Sequence, residues 1–415
     1  MTALNILRSL FDEAVRVADP MVCVPKALPP KPDGRVLVIG AGKASARMAE
    51  AVEAEWGPCD GLIITRYGYE RPLQGLTLKS ASHPVPDQAG MEATRELRAL
   101  LATADENTFV LALISGGGSA LMIDPAGDMT LAEKQAVNEA LLASGAPIDK
   151  MNVVRKHLSR IKGGQLAAAA YPASLLALMI SDVPGDDPAY IASGPTVGDA
   201  STPADALAIV EGYKIDLPES ARAVLSGDTG VVAPGDTRLS TTTNQVIAAP
   251  SQSLEAARAM AEKDGIAVTI LGDDLEGEAR ELAAQQAAMA LKLRAKITQP
   301  TLLLSGGECT VTRRGKGVGG PNAEYALALA IALDGASGIH ALACDTDGVD
   351  GAAEVAGAIV TPDTLVKAKS VGIDPDRALA NNDAHSFFAA IDSQVVTGPT
   401  LTNVNDFRAI LIKPI

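Results

Sequence analysis

The sequence predicts an α/β fold: two α/β domains with mainly parallel sheets, the N-terminal one Rossmann-like, with a cleft between them. Three observations lead there. Short β-branched and aliphatic runs alternate with amphipathic helical patterns along nearly the whole chain. At 415 residues the chain exceeds what one hydrophobic core usually organises. In each half an apolar run ends in Ser-Gly-Gly, at 115–117 and at 305–307. Open α/β sheets collect ligands at strand carboxyl ends, so these two turns are candidate walls of the cleft.

Taken in order, Val-Leu-Val-Ile at 36–39 reads as a strand closed by Gly40, and 44–55 as an amphipathic helix. Further strands are expected at 62–65, 109–114, 175–180, 268–271, 302–304 and 340–343. Helices are expected at 91–103, 131–144, 253–263 and 275–293, where apolar residues recur at helical spacing. The stretch SGDTGVVAPGDTRLS at 226–240 is rich in turn-forming residues, which places the boundary between domains 1–237 and 238–415.

Composition narrows the function classes. Apolar residues make up 47% of the chain and aromatic residues only 3%, so the core is built from Ala, Val, Leu and Ile. Thirty-five cations against 50 anions give a net charge of −15. That balance disfavours nucleic acid and anionic membranes as partners. Any anionic ligand must sit on a local positive island. The four cysteines are scattered, without Cys-x-x-Cys spacing, which argues against structural zinc and a disulfide framework and for a reducing cytoplasm. Residues 1–20 carry Arg8, Asp12, Glu13, Arg16 and Asp19, unlike a signal peptide. The longest apolar stretches are broken by Tyr171-Pro172 and by Asp334, too early to span a bilayer.

Several motifs carry chemistry. Gly40-Ala41-Gly42-Lys43-Ala44-Ser45 follows the first strand. A dinucleotide fingerprint would need Gly or Ala where Ser45 stands and an acid at the end of the second strand, where Thr65-Arg66 occurs. A Walker loop fails too, since Leu37 and Ala44 occupy key positions. What remains is a strand-to-helix turn whose N–H groups favour an anion, with Lys43 in the same turn; a tight turn with a solvated lysine is the alternative. ISGGGSALM at 114–122 offers Gly116, Gly117 and Gly118 as a nest of N–H donors ahead of Ser119, which no nucleophile elbow surrounds. NVVRKHLSRIKGGQLA at 152–167 gathers Arg155, Lys156, His157, Arg160 and Lys162, as an anion site or as a solvated face.

Asp182, Asp186 and Asp187 follow the strand expected at 175–180, and Asp345, Asp347 and Asp350 form a second acidic turn without EF-hand spacing. Each suits Mg²⁺ or an Asp-Gly turn. His83 and His385 read as structural.

As an ordered set these segments carry a resemblance. They are Gly40–Ser45 with its Lys43, SHPVPDQAG, ISGGGSALM, VVRKHLSRIKGGQLA, SDVPGDDPAYIASGPT, LSGGECTV, GVGGPNAEYALALA, DTDGVDG and VVTGPTLTNVNDF. The chain resembles the two-domain glycerate 2-kinases, whose C-terminal part is the MOFRL domain and which are often labelled hydroxypyruvate reductases. The resemblance implies transfer of the ATP γ-phosphoryl group to the 2-hydroxyl of D-glycerate, with Mg²⁺, in an active-site cleft between the domains.

It implies Lys43, the family's essential lysine, with Arg155 and Asp182 as catalytic residues. Ser119, Lys43, Arg155 and Asn322 are the expected substrate ligands. ATP is expected on Gly40, Gly42, Gly116, Gly117, Gly118, Ser305, Gly306, Gly307 and Glu308, and metal on Asp182, Asp187, Asp345 or Asp347. The family commonly reads Gly-Gly-Arg-Asn with a catalytic Arg; here Pro321 takes that position, with Arg155, Arg313, Arg314 or Lys316 as stand-ins. Phosphoryl transfer needs positioning and charge neutralisation, which cation-bearing glycine loops supply. Alternatives are a kinase for a related short hydroxy acid, an NAD(P)H-dependent hydroxypyruvate reductase, and a nucleotide-sensing scaffold. Expected partners are small molecules; a homodimer is compatible with them.

Overall fold

The computed structural model describes residues 2–351 and 353–414. The chain forms two compact units. One comprises Pro20–Asp182 with Asp186–Ile247; the other joins the segment ending at Asp19, Val183–Gly185 and the chain from Ala248 onward.

The first unit is built on six strands: β1 (Arg35–Ala41), β2 (Asp60–Arg66), β3 (Thr77–Ala81), β4 (Thr108–Ile114), β5 (Ser174–Ile180) and β6 (Thr242–Ala248). Their order is β3-β2-β1-β4-β5-β6, and every pairing from β3 to β5 is parallel. This is the Rossmann strand order. Residues 36–41 of β1 are all buried, as a parallel strand covered on both faces requires. The order reverses between β1 and β4, the switch point at whose strand carboxyl ends ligands of such sheets gather. A satellite core of Val137, Leu141, Val154, Leu158, Val210 and Leu225 packs helices between β4 and β5 against two that follow β5.

The second unit holds β7 (Ala267–Ile270), β8 (Gly277–Glu278), β9 (Thr301–Ser305), β10 (Cys309–Thr310), β11 (Ile339–Asp345), β12 (Gly357–Val360), β13 (Gln394–Val395) and β14 (Asp406–Ile412). β8 and β10 pair separately; the main sheet runs β13-β12-β11-β14-β9-β7. Only β7–β9 is parallel, and the other four pairings are antiparallel. The expected mainly parallel sheet is therefore corrected to a mixed one in this unit. β14 inserts between β11 and β9, antiparallel to both, and β11 returns directly as β12 without the helical crossover that parallel neighbours need. The helix Pro321–Leu333 is apolar nearly all round and buried from Asn322 to Ala330.

Two elements depart from the expected cut at 237/238. β6 lies beyond it yet is the edge of the first sheet, beside β5. The N-terminal helix Ala3–Ala18 buries Leu7, Leu10, Phe11 and Ala14 in the core of the second unit, with Phe11 against Phe407 at 5.9 Å between ring centroids. Its apolar stripe finds a partner in the helix Pro250–Lys263. Among the described residues no helix is long and apolar enough to cross a membrane.

Candidate active site

The carboxyl ends of β1 and β4 are tied into one structure. Lys43 donates its N–H to the Gly116 carbonyl at 2.9 Å, and Ser115 donates its own to the Ala41 carbonyl at 3.2 Å. Ser115 Oγ accepts the Ala44 N–H at 3.0 Å, and Ser45 Oγ donates to the Leu113 carbonyl at 2.9 Å. The helix Ser45–Trp56 has no cap from its own Ala44 side chain, so Ser115 supplies one from the neighbouring turn. Gly42 makes this contact feasible: its φ is +150°, and a Cβ there would lie 2.1 Å from Ser115 Oγ. Gly117, at φ +79°, would place a Cβ 3.0 Å from His83 Cδ2 and 3.2 Å from Lys43 Cγ. Lys43, His83 and the turn of Gly116 to Gly118 therefore meet at the switch point of the sheet.

Ser119 extends this group. Its Oγ lies 3.0 Å from Ser193 Oγ, and Lys162 Nζ donates to both Ser119 Oγ and its carbonyl at 2.8 Å. Ser193 approaches Asn152 Oδ1 at 3.5 Å, as does Arg155 Nη1. Ala192 and Ser193 hold φ of +51° and +64°, values that L-residues adopt at a cost of roughly 1–3 kcal/mol each. The cationic run at 155–162 separates by role. Lys156 pairs with Asp199 at 2.5 Å, the His157 ring sits between the Thr229 and Ser201 hydroxyls, and Arg160 is exposed and donates to the Gly127 carbonyl. Arg155 and Lys162 meet no carboxylate among the described residues.

Burial acts strongly on this cluster. It lowers Lys162 well below the ordinary lysine range, with Lys134, Arg155 and Lys156 repelling the charged form, and it lowers Arg155. Lys134, 3% exposed, is lowered to about 7 by burial and then by Arg155. Its Nζ has no hydrogen-bond partner among the described residues.

The second unit contributes a buried polar network. The Asp350 carboxylate accepts the N–H groups of Asn322 at 2.9 Å and Ala323 at 2.8 Å, capping the helix Pro321–Leu333. Asn322 Nδ2 donates to Asp406 at 2.6 Å, and Arg408 joins Asp406 at 2.5 Å while donating to the Gly306 and Gly307 carbonyls. Desolvation raises Asp406 despite Arg408 beside it. Pro321 is the first residue of its helix, the one helical position where a missing N–H and a fixed φ are accommodated. Glu324, fully buried, takes Arg280 at 2.6 Å and the Asn382 amide at 3.0 Å. His385 Nε2 lies 3.1 Å from the Asp350 carboxylate.

Within the first unit, then, the structure brings together Lys43, Gly40, Gly42, Gly116, Gly117, Gly118 and Ser119, with Arg155 joined through Asn152 and Ser193. Within the second it brings together Ser305, Gly306, Gly307 and Asn322. Ser305 Oγ lies 3.3 Å from Gln286 Nε2, the two glycine carbonyls are held by Arg408, and the Asn322 amide is held by two carboxylates, while Glu308 is exposed. Asp187, Asp345 and Asp347 each accept an N–H two residues on, from Ala189, Asp347 and Val349, in local turns. Asp182 is half-buried just beyond β5. No group of three or more His, Cys, Asp or Glu arranged for a metal occurs among the described residues.

Three residues escaped the sequence reading. Lys134 falls on the buried stripe of Val137 and Leu141, a legible signal. Ser193 has no local signal, because Ser119 reaches it across 74 residues of sequence. His83, read as structural, sits against Gly117 beside Lys43.

Residues 6–226 match a domain of unknown function, DUF4147, and residues 301–406 match the MOFRL family. A protein of Thermotoga maritima named D-glycerate 2-kinase is 37% identical over 97% of both chains. The chain belongs to the two-domain glycerate 2-kinase family. The crystal structure of a glycerate kinase from Thermotoga maritima superposes with a TM-score of 0.87, at 35% identity, over 98% of this chain and 99% of that one. An Agrobacterium vitis protein, provisionally named hydroxypyruvate reductase, is 53% identical over 99% of this chain and 95% of its own. Both labels thus occur within the glycerate 2-kinase family, and the chemistry of the first unit bears on the choice between them.

Proposed function

We propose that the chain is an ATP-dependent glycerate 2-kinase, which transfers the γ-phosphoryl group of MgATP to the 2-hydroxyl of D-glycerate and releases 2-phosphoglycerate and MgADP. The observation that carries this reading is Lys43 seated against the glycine turn 116–118 at the switch point of a Rossmann-ordered sheet. There the turn N–H groups and the Lys43 ammonium neutralise charge on phosphoryl oxygens. The attacking hydroxyl oxygen forms its bond to the γ-phosphorus as the bond to the bridging oxygen breaks, and its proton leaves to the Asp182 carboxylate or to water. Mg²⁺ enters with the nucleotide as part of the substrate, held chiefly by phosphate oxygens. Four buried free thiols support a cytoplasmic setting.

The rival reductase reading has less support. The Rossmann order is present, but Asp60 opens β2 instead of closing it, and the far end of β2 carries Arg66. Ser45, in the third fingerprint position, is buried with its hydroxyl on Leu113. A coupled ADP assay with D-glycerate, tartronate and other short hydroxy acids should show turnover with D-glycerate, and phosphorus NMR should show a 2-phosphate. Rapid NADH oxidation with hydroxypyruvate, without ADP formation in the first assay, would overturn the reading.

A further inference from the structure

We infer that Lys134, Arg155 and Lys162 form an oxyanion subsite that receives the carboxylate of the hydroxy acid. The identity of that carboxylate rests on the kinase reading above; the cation cluster itself does not.

Three cations converge from three places in the sequence. Lys134 lies on the buried side of the helix Leu131–Ala143, 3% exposed, and its Nζ has no hydrogen-bond partner among the described residues. Arg155 lies near the end of the helix Ile148–His157, half-buried, with only the 3.5 Å approach to Asn152 Oδ1. Lys162 is 2% exposed and spends two donors on Ser119, which leaves a third. They are close enough to repel one another through the protein. Lys156, which is already paired with Asp199, also acts on Lys162. Withdrawing cations from water without an anion opposes folding, so a cluster of this kind is retained for a ligand that supplies the missing charge.

The chemistry of the surroundings favours a short hydroxycarboxylate. Phosphoryl oxygens already have a seat at Lys43 and the turn 116–118. Ser119 links that turn to the cluster, two residues past Gly117 and bonded to Lys162. Between them the Ser119 and Ser193 hydroxyls and the Asn152 amide offer partners for alcohol groups. A molecule bearing a carboxylate and an adjacent hydroxyl can use the cations and these polar groups together.

Calorimetric titration of the full chain with D-glycerate, without nucleotide, at pH 8 and in two buffers of different ionisation enthalpy, tests this. The carboxylate should draw a proton onto Lys134, giving buffer-dependent heats that correspond to proton uptake. Lys134→Met should weaken D-glycerate binding roughly 10- to 100-fold, abolish the uptake, and raise the KM for D-glycerate while leaving that for ATP within twofold. It should also raise the Tm of the ligand-free protein, since the cost of burying a lysine that must give up its proton is removed; a merely structural lysine would lower it. Lys134→Gln serves as a second variant with the same expected directions. Unchanged D-glycerate affinity in both variants overturns the subsite, as does binding of inorganic phosphate that needs Lys134 and is not displaced by D-glycerate. The two readings fail separately. Proton-linked D-glycerate binding without any ADP formation removes the kinase and keeps the subsite; ADP formation with an unaltered KM in Lys134→Met does the reverse.

Discussion

Lys43 runs along the glycine turn, its Cγ 3.2 Å from where a Cβ on Gly117 would sit. A preorganised cation at a site of developing charge is worth about 10²-fold or more in kcat. Lys43→Ala should therefore lose about that much turnover with D-glycerate, with Tm within a degree or two of wild type; steady-state kinetics and a melting curve check both. Lys134 makes a second, pH-dependent statement. Its folded value of about 7 lies below the ordinary 10.5, so between these values the unfolded chain binds the proton that the folded chain lacks. Stability then rises with pH across that window, by about 1.4 kcal/mol per unit at most, and the penalty is fully present below the folded value. Urea melts of ligand-free wild type and Lys134→Met between pH 7 and 9.5 should show a steeper rise for wild type. The turn lysine was legible from its motif. The buried one was legible only as a period, because a lysine at an apolar helical position looks like a surface residue until the stripe around it is counted.

At the scale of elements, the site depends on one turn capping another. Ser115 Oγ accepts the Ala44 N–H and fills the space that Gly42 leaves open. Ser115→Ala should lower stability by about 1 kcal/mol, the usual cost of a lost cap, and raise the KM for ATP, both measurable on one preparation. β1, β2, β4, β5, β7 and β9 were legible because each holds a short apolar run. The edge strands β3 (TLKSA) and β6 (TTNQVIA) were not, since each is half-exposed and carries few apolar residues. β12, β13 and β14 were not: two are of four residues or fewer, and the pairing of β14 between β11 and β9 is set by partners far apart in sequence. The same distance hid Asp350, whose carboxylate caps a helix that begins 29 residues earlier, at Pro321. An aspartate read as a turn former or metal ligand serves there as a helix cap. The proline at 321 has a local reason, since a helix's first residue gives up no intrahelical hydrogen bond to it.

At the scale of the whole molecule, the two units are not two consecutive stretches of sequence. The helix Ala3–Ala18 buries Leu7, Leu10 and Phe11 among residues of the second unit, each worth about 1.5–3 kcal/mol. A chain beginning at Pro20 should keep the first unit's melting transition and lose the second's, and adding a peptide of residues 2–19 should restore it; differential scanning calorimetry reads both. Nothing local announces this arrangement. Residues 3–18 advertise an amphipathic helix, but the surface that covers its stripe lies more than two hundred residues away, where no periodicity can point.

That arrangement also sets an order of events during synthesis. Phe11 leaves the ribosome well ahead of Phe407, the ring it packs against. At about 5–20 residues per second the interval is of the order of half a minute. Through it the first unit can fold behind a greasy helix that has nowhere to go. Until the residues around Phe407 emerge, that apolar stripe is the surface a holding chaperone would recognise.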